Sequence, residues 1–350
     1  MSSTTLKQRP GKGTSSANEP AATPALTDAD RAVAKKKKEG TFKKFMTRLI
    51  FGFILIFGTL LVIFSAHIYV AIFIVGCQTL VFRELVRVRY DKIKAKPIPL
   101  FRTLQWCWFF FAMFYVYSNQ FYTWSLNHQQ IGAVKIYLRY HDWVSFGMYS
   151  VLFAGTVLQL KEGSYRYQMG QLTWTCLTIA ICVILCKQTF GIIFEGMIWF
   201  LLSISMVICN DTFAYFCGFS LGRKIINRPF LRLSPNKTWE GFIGGGICTV
   251  IFAYFWPLVW VQFQWLVCPC EEITFKPFQN NLACELDPVF VSTTFDVPSQ
   301  LVFMFGETIT CLPVQLHCMV LACYASVFAP FGGFLASAIK RAYGKNHYII

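Results

Sequence analysis

A stretch of 34 residues without a formal charge, from Leu49 to Phe82, limits what this chain can fold into. A helix that crosses a bilayer needs about 20 consecutive apolar residues, so the stretch is too long for one such helix and fits two. We therefore predict a tight helical hairpin that turns near Ser65 and His67. The chain as a whole is 55% hydrophobic and has a mean hydropathy of +0.48, which extends the membrane interpretation beyond the hairpin.

Six further apolar runs predict membrane helices after the hairpin. We place them at 104–124, 142–160, 168–187, 190–209, 241–264 and 314–338. The predicted fold class is an all-α polytopic membrane protein with about eight transmembrane helices. We assign residues 1–47 to a disordered basic cytosolic tail, 48–341 to the transmembrane domain and 342–350 to a divergent end.

The distribution of charge predicts how the helices are oriented. Residues 1–48 hold 11 Lys or Arg against 4 acids, and residues 83–102 hold 7 against 2. The long loop 265–313 instead holds six acids and one Lys. Because basic flanks stay on the cytosolic side, we expect both termini in the cytosol and the loop 265–313 in the lumen.

Four cysteines lie in or at the end of the lumenal loop, at positions 268, 270, 284 and 311. A zinc site is disfavoured, because neither clustered His nor a paired C-x-x-C motif accompanies them. In an oxidising compartment these cysteines either form a disulfide or remain free thiols, and their spacing leaves both states open.

Two acids fall within or at the end of predicted helices, where charges mark function. Glu195 is expected deep in the membrane, either as a packing residue between helices or as a functional group. Asp211 is expected at the cytosolic end of the same helix, where the helix dipole disfavours an acid, and we favour a function for it. On one helix about 24 Å of rise separates the two acids, so we predict that they do not share a metal ion.

The stretch RLSPNKTWEGFIGGG, residues 231–245, places charged residues at the start of an apolar helix. Thr238 is a predicted N-cap for the helix that begins at Trp239, and Glu240 stands in the first turn, where the dipole favours an acid. Lys237 opposes the dipole. It is either a receptor for a phosphate, together with the helix N–H groups, or one more basic residue at the cytosolic interface.

A second basic group ends the last predicted helix on the same side. Lys340 and Arg341 follow Ser337 by one helical turn in FGGFLASAIKRA. Together with Lys237 they describe a lipid-embedded protein that meets a phosphate-rich ligand from the cytosol. This setting favours membrane lipids as partners and gives no reason to expect nucleic acid.

The strings FEGMIWF, ICNDTFAYFCGF, LSPNKTWEGFIGG and FGGFLASAIKR resemble the eukaryotic CDP-diacylglycerol synthases, also called CTP:phosphatidate cytidylyltransferases. The likeness runs from about Arg48 to Arg341 and makes 48–341 a cytidylyltransferase domain. It implies a multi-pass enzyme of the endoplasmic reticulum membrane with a cytosolic active face, and a homodimer is compatible with it. The implied reaction transfers CMP from CTP to phosphatidic acid with Mg²⁺, giving CDP-diacylglycerol and pyrophosphate.

The resemblance also implies a set of site residues. The residues it assigns to catalysis are Lys237, Asp211, Lys340 and Arg341. Those it assigns to substrate binding are Ser234, Asn236, Thr238, Glu240, Ser337 and Asn210. Asp211 is also the implied ligand of Mg²⁺, since that ion takes carboxylate and phosphate oxygens.

The sequence departs from the family after the Ser-x-x-Lys-Arg motif. The family continues with Lys-Asp, His-Gly-Gly and Asp-Arg-x-Asp segments that supply metal ligands, whereas Asn346 and His347 stand at the Lys-Asp positions here and the sequence stops at Ile350. On this basis we expect residues 1–350 alone to make little CDP-diacylglycerol. Two other interpretations stay open: a non-catalytic isoform that binds lipid or a full-length subunit, and a transporter, which the one-sided basic residues disfavour.

Overall fold

The computed structural model describes residues 28–90, 98, 100–127, 139–228, 230–231, 234, 237–270, 276–278, 282–296 and 308–343. The chain divides into two compact units, Met1–Gly58 and Thr59–Ile350. All of the predicted site residues belong to the second unit.

Helices make up most of the described residues, and the strands found there form one short antiparallel hairpin. In chain order the elements are α1 (Asp28–Ser65), α2 (His67–Arg89), α3 (Phe101–Asn127), α4 (His141–Leu158), α5 (Tyr165–Ile179), a π-helical turn (Ala180–Ile184), α6 (Lys187–Glu195), α7 (Met197–Ser220), α8 (Trp239–Trp260), α9 (Gln264–Val267), a 3-10 turn (Pro288–Phe290), β1 (Thr293–Asp296), β2 (Thr308–Cys311) and α10 (Pro313–Ala342).

Five helical segments of the described chain are long and apolar enough to cross a membrane. They are His67–Arg89, Tyr165–Glu195, Met197–Ser220, Trp239–Trp260 and Pro313–Ala342. Leu49–Ser65 is apolar but shorter, and α3 and α4 lie at the two remaining predicted spans. The all-α membrane fold is therefore confirmed, while the number of eight crossings stays a prediction. The predicted span 190–209 crosses the break at Gly196 between α6 and α7, so this boundary was wrong.

Two helix boundaries differ from those predicted. α1 begins at Asp28, so the structure has helix in residues 28–47, where we predicted a disordered tail. This segment is rich in Ala and Lys, which are strong helix formers. α7 runs to Ser220 and not to residue 209, because the residues that follow Asp211 are mostly apolar and continue the helix. The connection to α8 is therefore 221–238, shorter than the predicted loop 210–240.

Two breaks between consecutive helices, after Ser65 and at Gly196, lie beside the long loop. Two backbone hydrogen bonds make this connection, from the N–H of Phe278 to the oxygen of Ser65 (2.8 Å) and from the N–H of Cys270 to the oxygen of Phe194 (2.7 Å). We call this region, with the α1–α2 turn, the α6–α7 turn and the described residues of 261–312, the loop end. The break between helices expected near residue 65 is thus confirmed at Ala66, while the tight hairpin stays a prediction.

A disulfide joins Cys268 to Cys284 in the loop, which confirms one of the two interpretations of these cysteines. Cys270 and Cys311 are buried and take no part in this disulfide. Burial raises the pKa of the Cys270 thiol to about 11. Because the thiolate is the reactive form, this cysteine is expected to stay unreactive at neutral pH.

Two large hydrophobic clusters, and a small one of Ile98 and Phe101, lie in the second unit. The first joins α7, α8 and α10 and includes Leu202, Ala253 and Cys318. The second joins α2, α3 and the π-helical turn, and in it the rings of Phe82 and Phe109 stack with centroids 4.2 Å apart. The end of α10 packs against this second cluster as well, and so connects the two.

Glycines bring the backbones of α7 and α8 into direct contact. A Cβ atom added to Gly241 would lie 2.7 Å from the carbonyl oxygen of Ala214, and one added to Gly245 would lie 2.9 Å from the Cα of Ala214. A Cβ on Gly218 would lie 3.3 Å from the hydroxyl oxygen of Thr238. Small residues that let helix backbones approach closely are a standard feature of membrane helix pairs.

We expect Gly245→Ala to lower the melting temperature of the purified chain, because the new methyl group forces α7 and α8 apart. Overpacking of this kind costs about 1–3 kcal/mol. Gly332→Ala on α10 is the matched control, since a Cβ atom added there would meet no neighbouring element within 4 Å. Equal melting temperatures for the two variants in detergent would contradict the close packing.

Candidate active site

Most of the described site residues lie at the end of the second unit opposite the loop end, while Asn210 and Asp211 lie more than two turns before the end of α7. Here lie the last turns of α2, α7 and α10 and the first turns of α5 and α8, and we call this region the basic end. The side-chain amide of Gln171 donates to the oxygen of Arg89 (2.8 Å) and so joins α5 to α2. The rings of Trp174 and Tyr343 lie 5.8 Å apart and join α5 to the end of α10.

Phe230 connects the loop 221–238 to the surrounding helices. Its ring centroid lies 4.6 Å from that of Trp239, 4.7 Å from that of Phe242 and 5.7 Å from that of Phe334. Ser337 and Arg341 stand one and two turns beyond Phe334, on the same face of α10. The loop that carries Lys237 and the helix end that carries the second basic group are thereby brought to one region.

The start of α8 is capped as the sequence predicts. The hydroxyl oxygen of Thr238 accepts a hydrogen bond from the N–H of Gly241 (3.2 Å), which occupies one of the first-turn N–H groups. Lys237 precedes this cap and is exposed, and no carboxylate among the described residues forms an ion pair with it. Its ammonium group is therefore the main cationic group offered to an anion at this helix start.

The carboxylate of Glu240 holds the loop against α8. Glu240 is only 8% exposed, and its Oε1 accepts hydrogen bonds from the N–H groups of Ile225 (3.2 Å) and Ile226 (2.8 Å). Its Oε2 is buried and has no hydrogen-bond partner among the described residues. The structure thus gives Glu240 a positioning role for the loop, where the resemblance implied contact with substrate.

The acids of the predicted membrane helices stand in other places than expected. Asp211 is exposed, but α7 continues to Ser220, about 14 Å further along the axis. Asp211 therefore does not stand at the helix end, and the prediction that placed it there was wrong. Its neighbour Asn210 is buried.

Glu195 ends α6, and Gly196 separates it from α7, so Glu195 and Asp211 do not share one helix. Glu195 is exposed beside the loop end, which contradicts a buried packing role.

The end of α10 presents a hydroxyl and two cations. The Ser337 hydroxyl donates to the oxygen of Gly333 (2.8 Å) within the helix, so it must rotate away from that carbonyl before it can donate to a phosphate. Lys340 is half-buried and Arg341 is exposed. The two cations are compatible with the predicted phosphate contacts, and all three contacts stay predictions.

Two further predicted substrate contacts lie in the loop before α8. Ser234 closes a tight turn through two backbone hydrogen bonds. Its N–H donates to the carbonyl oxygen of Leu231 (3.1 Å), and its carbonyl oxygen accepts from the N–H of Lys237 (3.1 Å). The turn therefore sets the backbone that carries the lysine. Asn236 lies outside the described residues.

The sequence reasoning missed the contribution of α2 and α5 to the basic end. The guanidinium carbon of Arg89 lies 5.8 Å from the centre of the Trp174 ring, and the indole N–H of Trp174 donates to the oxygen of Leu85 (2.9 Å). These contacts hold α2 and its Arg89 against α5, which in turn contacts the end of α10. The signal was the basic excess in residues 83–102, which was used only to orient the helices.

Known proteins are similar to this chain over most of its length. The model of the cytidylyltransferase family matches residues 46–345. A probable phosphatidate cytidylyltransferase of Dictyostelium discoideum is 39% identical over 326 residues, which cover 91% of this chain and 67% of that protein. Phosphatidate cytidylyltransferase 1 of Arabidopsis thaliana is 35% identical over 327 residues (91% and 76%), and that of Rattus norvegicus is 34% identical over 330 residues (91% and 69%). The chain belongs to the cytidylyltransferase family, among the phosphatidate cytidylyltransferases.

Proposed function

We propose that this chain transfers CMP from CTP to phosphatidic acid, forming CDP-diacylglycerol and releasing pyrophosphate. The observation that carries the proposal is the gathering of Lys237 and the cationic end of α10 around Phe230. The names of the relatives support a transferase over a non-catalytic isoform or a transporter. We therefore propose that this chain is active, in place of the low synthesis that its departure from the family pattern led us to expect.

The proposed reaction joins two anions. An oxygen of the phosphatidate phosphate attacks the α-phosphorus of CTP, and the bond from that phosphorus to the β-phosphate oxygen breaks. Because the nucleophile is already ionised, the site needs little from a general base and much from cations that hold both anions in line. Lys237, Lys340 and Arg341 fill that role, while the acyl chains of the substrate remain in the lipid.

We propose that Mg²⁺ binds at Asp211 together with phosphate oxygens of the substrates. No group of three His, Cys, Asp or Glu that could hold a metal ion is found within the described ranges, so these residues supply no complete protein cage. Mg²⁺ is commonly held through one or two carboxylates plus substrate phosphates, and a single exposed carboxylate fits that mode. When bound, the ion neutralises charge on the departing pyrophosphate.

The proposed location is the endoplasmic reticulum membrane, with the basic end in the cytosol. The positive-inside rule supports this orientation, and so does the disulfide at the loop end, because disulfides persist in oxidising compartments. Assembly as a homodimer stays a prediction.

Glycosylation tests this orientation. Asn210 and Asn236 each begin an Asn-x-Thr acceptor pattern, and both are expected to stay unmodified. Asn210 is buried within α7, and we propose that Asn236 lies on the cytosolic side. Leu282→Thr completes the same pattern starting at Asn280 in the loop 265–313, and there we expect modification. The readout is a shift in gel mobility on endoglycosidase treatment. A shift of the parent chain that disappears in Asn236→Gln would overturn the orientation.

The position of the label in CTP tests the reaction. With membranes that carry the chain, label in the α-phosphate of CTP should enter the organic-soluble lipid, while label in the γ-phosphate should stay in the aqueous phase as pyrophosphate. Entry of both labels into lipid, or of neither, would contradict transfer of CMP.

A further inference from the structure

A cavity lies away from the basic end, between α3 and α4. Its volume is about 430 Å³, within the range of small-molecule sites. Four aromatic rings line it, those of Phe111, Tyr115, Phe146 and Tyr149. Phe146 is 68% exposed, so the cavity opens to the surroundings of the helices.

One carboxylate stands at the mouth of this cavity. Asp142 lines it, and its side chain is 94% exposed. The ring of His141 is buried and connects two lining residues, with Nδ1 3.3 Å from Asp142 Oδ1 and Nε2 3.3 Å from the hydroxyl oxygen of Ser145. His141 in turn stacks on Tyr115 with centroids 5.9 Å apart. The acid and the aromatic wall are therefore held in one arrangement.

We infer that this cavity binds a quaternary ammonium group, supplied in a membrane by the head group of a choline phospholipid. Aromatic faces attract a cation through their ring quadrupoles, and aromatic cages are a known means of binding quaternary ammonium. The carboxylate of Asp142 adds the complementary charge. The inference is independent of the transferase reaction.

The chemistry of the cavity disfavours other cations. A divalent metal ion requires several oxygen ligands, whereas the lining offers one carboxylate and one serine hydroxyl as side-chain oxygens besides two phenols. A primary ammonium brings three N–H donors, each of which needs an acceptor in place of water. A trimethylammonium group has no N–H donor and presents methyl groups to the rings.

Competition between lipids with identical acyl chains tests this inference. The chain is purified in dodecyl maltoside and mixed with equal amounts of dioleoyl phosphatidylcholine, phosphatidylethanolamine and phosphatidylglycerol, and the bound lipids are counted by native mass spectrometry. We expect phosphatidylcholine to be retained about fivefold over the other two lipids. Asp142→Asn and Tyr149→Leu should each reduce this preference towards one.

Matched variants separate binding from folding. Tyr149→Phe keeps the ring, and Glu162→Gln removes an exposed carboxylate outside the cavity, so both should keep the preference. Melting temperatures of all variants check that they fold. Equal retention of the three lipids by the parent chain would overturn the inference, as would a preference that survives both Asp142→Asn and Tyr149→Leu. Retention of phosphatidylethanolamine as strong as that of phosphatidylcholine would overturn the assignment to a quaternary group.

Discussion

Lys237→Ala is expected to reduce CDP-diacylglycerol synthesis by about 100-fold or more, the range seen when one preorganised electrostatic contact to a reacting group is removed. The lysine stands exposed beside the start of α8 with no described carboxylate partner, so its charge is available to a phosphate. Because the contact acts on the reacting phosphates, turnover at saturating CTP should fall, and not only the affinity for CTP.

Lys224→Ala is the control for this prediction. Lys224 is also exposed and belongs to the same loop, so its loss changes the net charge of the basic end by the same amount. We expect its activity to stay close to that of the parent chain at physiological ionic strength, because distant exposed charges are screened. Similar rates for the two variants would assign Lys237 to the membrane interface and remove it from the site.

Glu240→Ala is expected to reduce activity by roughly 100-fold through the loop, since a displacement of about 1 Å in a reacting group has an effect of that order. The substitution leaves the N–H groups of Ile225 and Ile226 without their acceptor, and the segment that leads to Lys237 loses its attachment to α8. The melting temperature should fall as well, because two backbone donors lose their hydrogen bonds to a carboxylate.

Glu240→Gln distinguishes a positioning role from contact with substrate. The amide oxygen of Gln can still accept from the two N–H groups, so we expect both stability and most of the activity to return. Glu162→Ala, which removes an exposed carboxylate elsewhere, should leave both unchanged. An inactive but fully stable Glu240→Gln variant would instead indicate that the charge of Glu240 acts on the substrate.

Local chain properties explain which parts of the structure the sequence predicts well. The helix break near residue 65 follows from the length of one uncharged stretch, and the Thr238 cap follows from a hydroxyl residue placed just before an apolar run. The pairing of Cys268 with Cys284 was left open, because four cysteines permit several connectivities.

Long-range contacts explain the rest. The partners of Glu240 lie 14 and 15 residues earlier, and no periodic pattern connects a carboxylate with backbone N–H groups at that separation. Phe230 likewise gains its role only through Phe334, more than a hundred positions later. Asp211 was misplaced because a charge was taken to end a membrane helix, whereas the apolar residues after it continue α7.

Incorporation of α-labelled CTP into lipid is the most direct measurement of the central claim. It uses membranes from a host whose own synthase is repressed, in which either the parent chain or Lys237→Ala is present at matched levels. The account predicts a labelled product that co-migrates with CDP-diacylglycerol, requires both added phosphatidic acid and Mg²⁺, and is lost in Lys237→Ala. Label that stays in the aqueous phase with the parent chain, or enters lipid equally without phosphatidic acid, would contradict it.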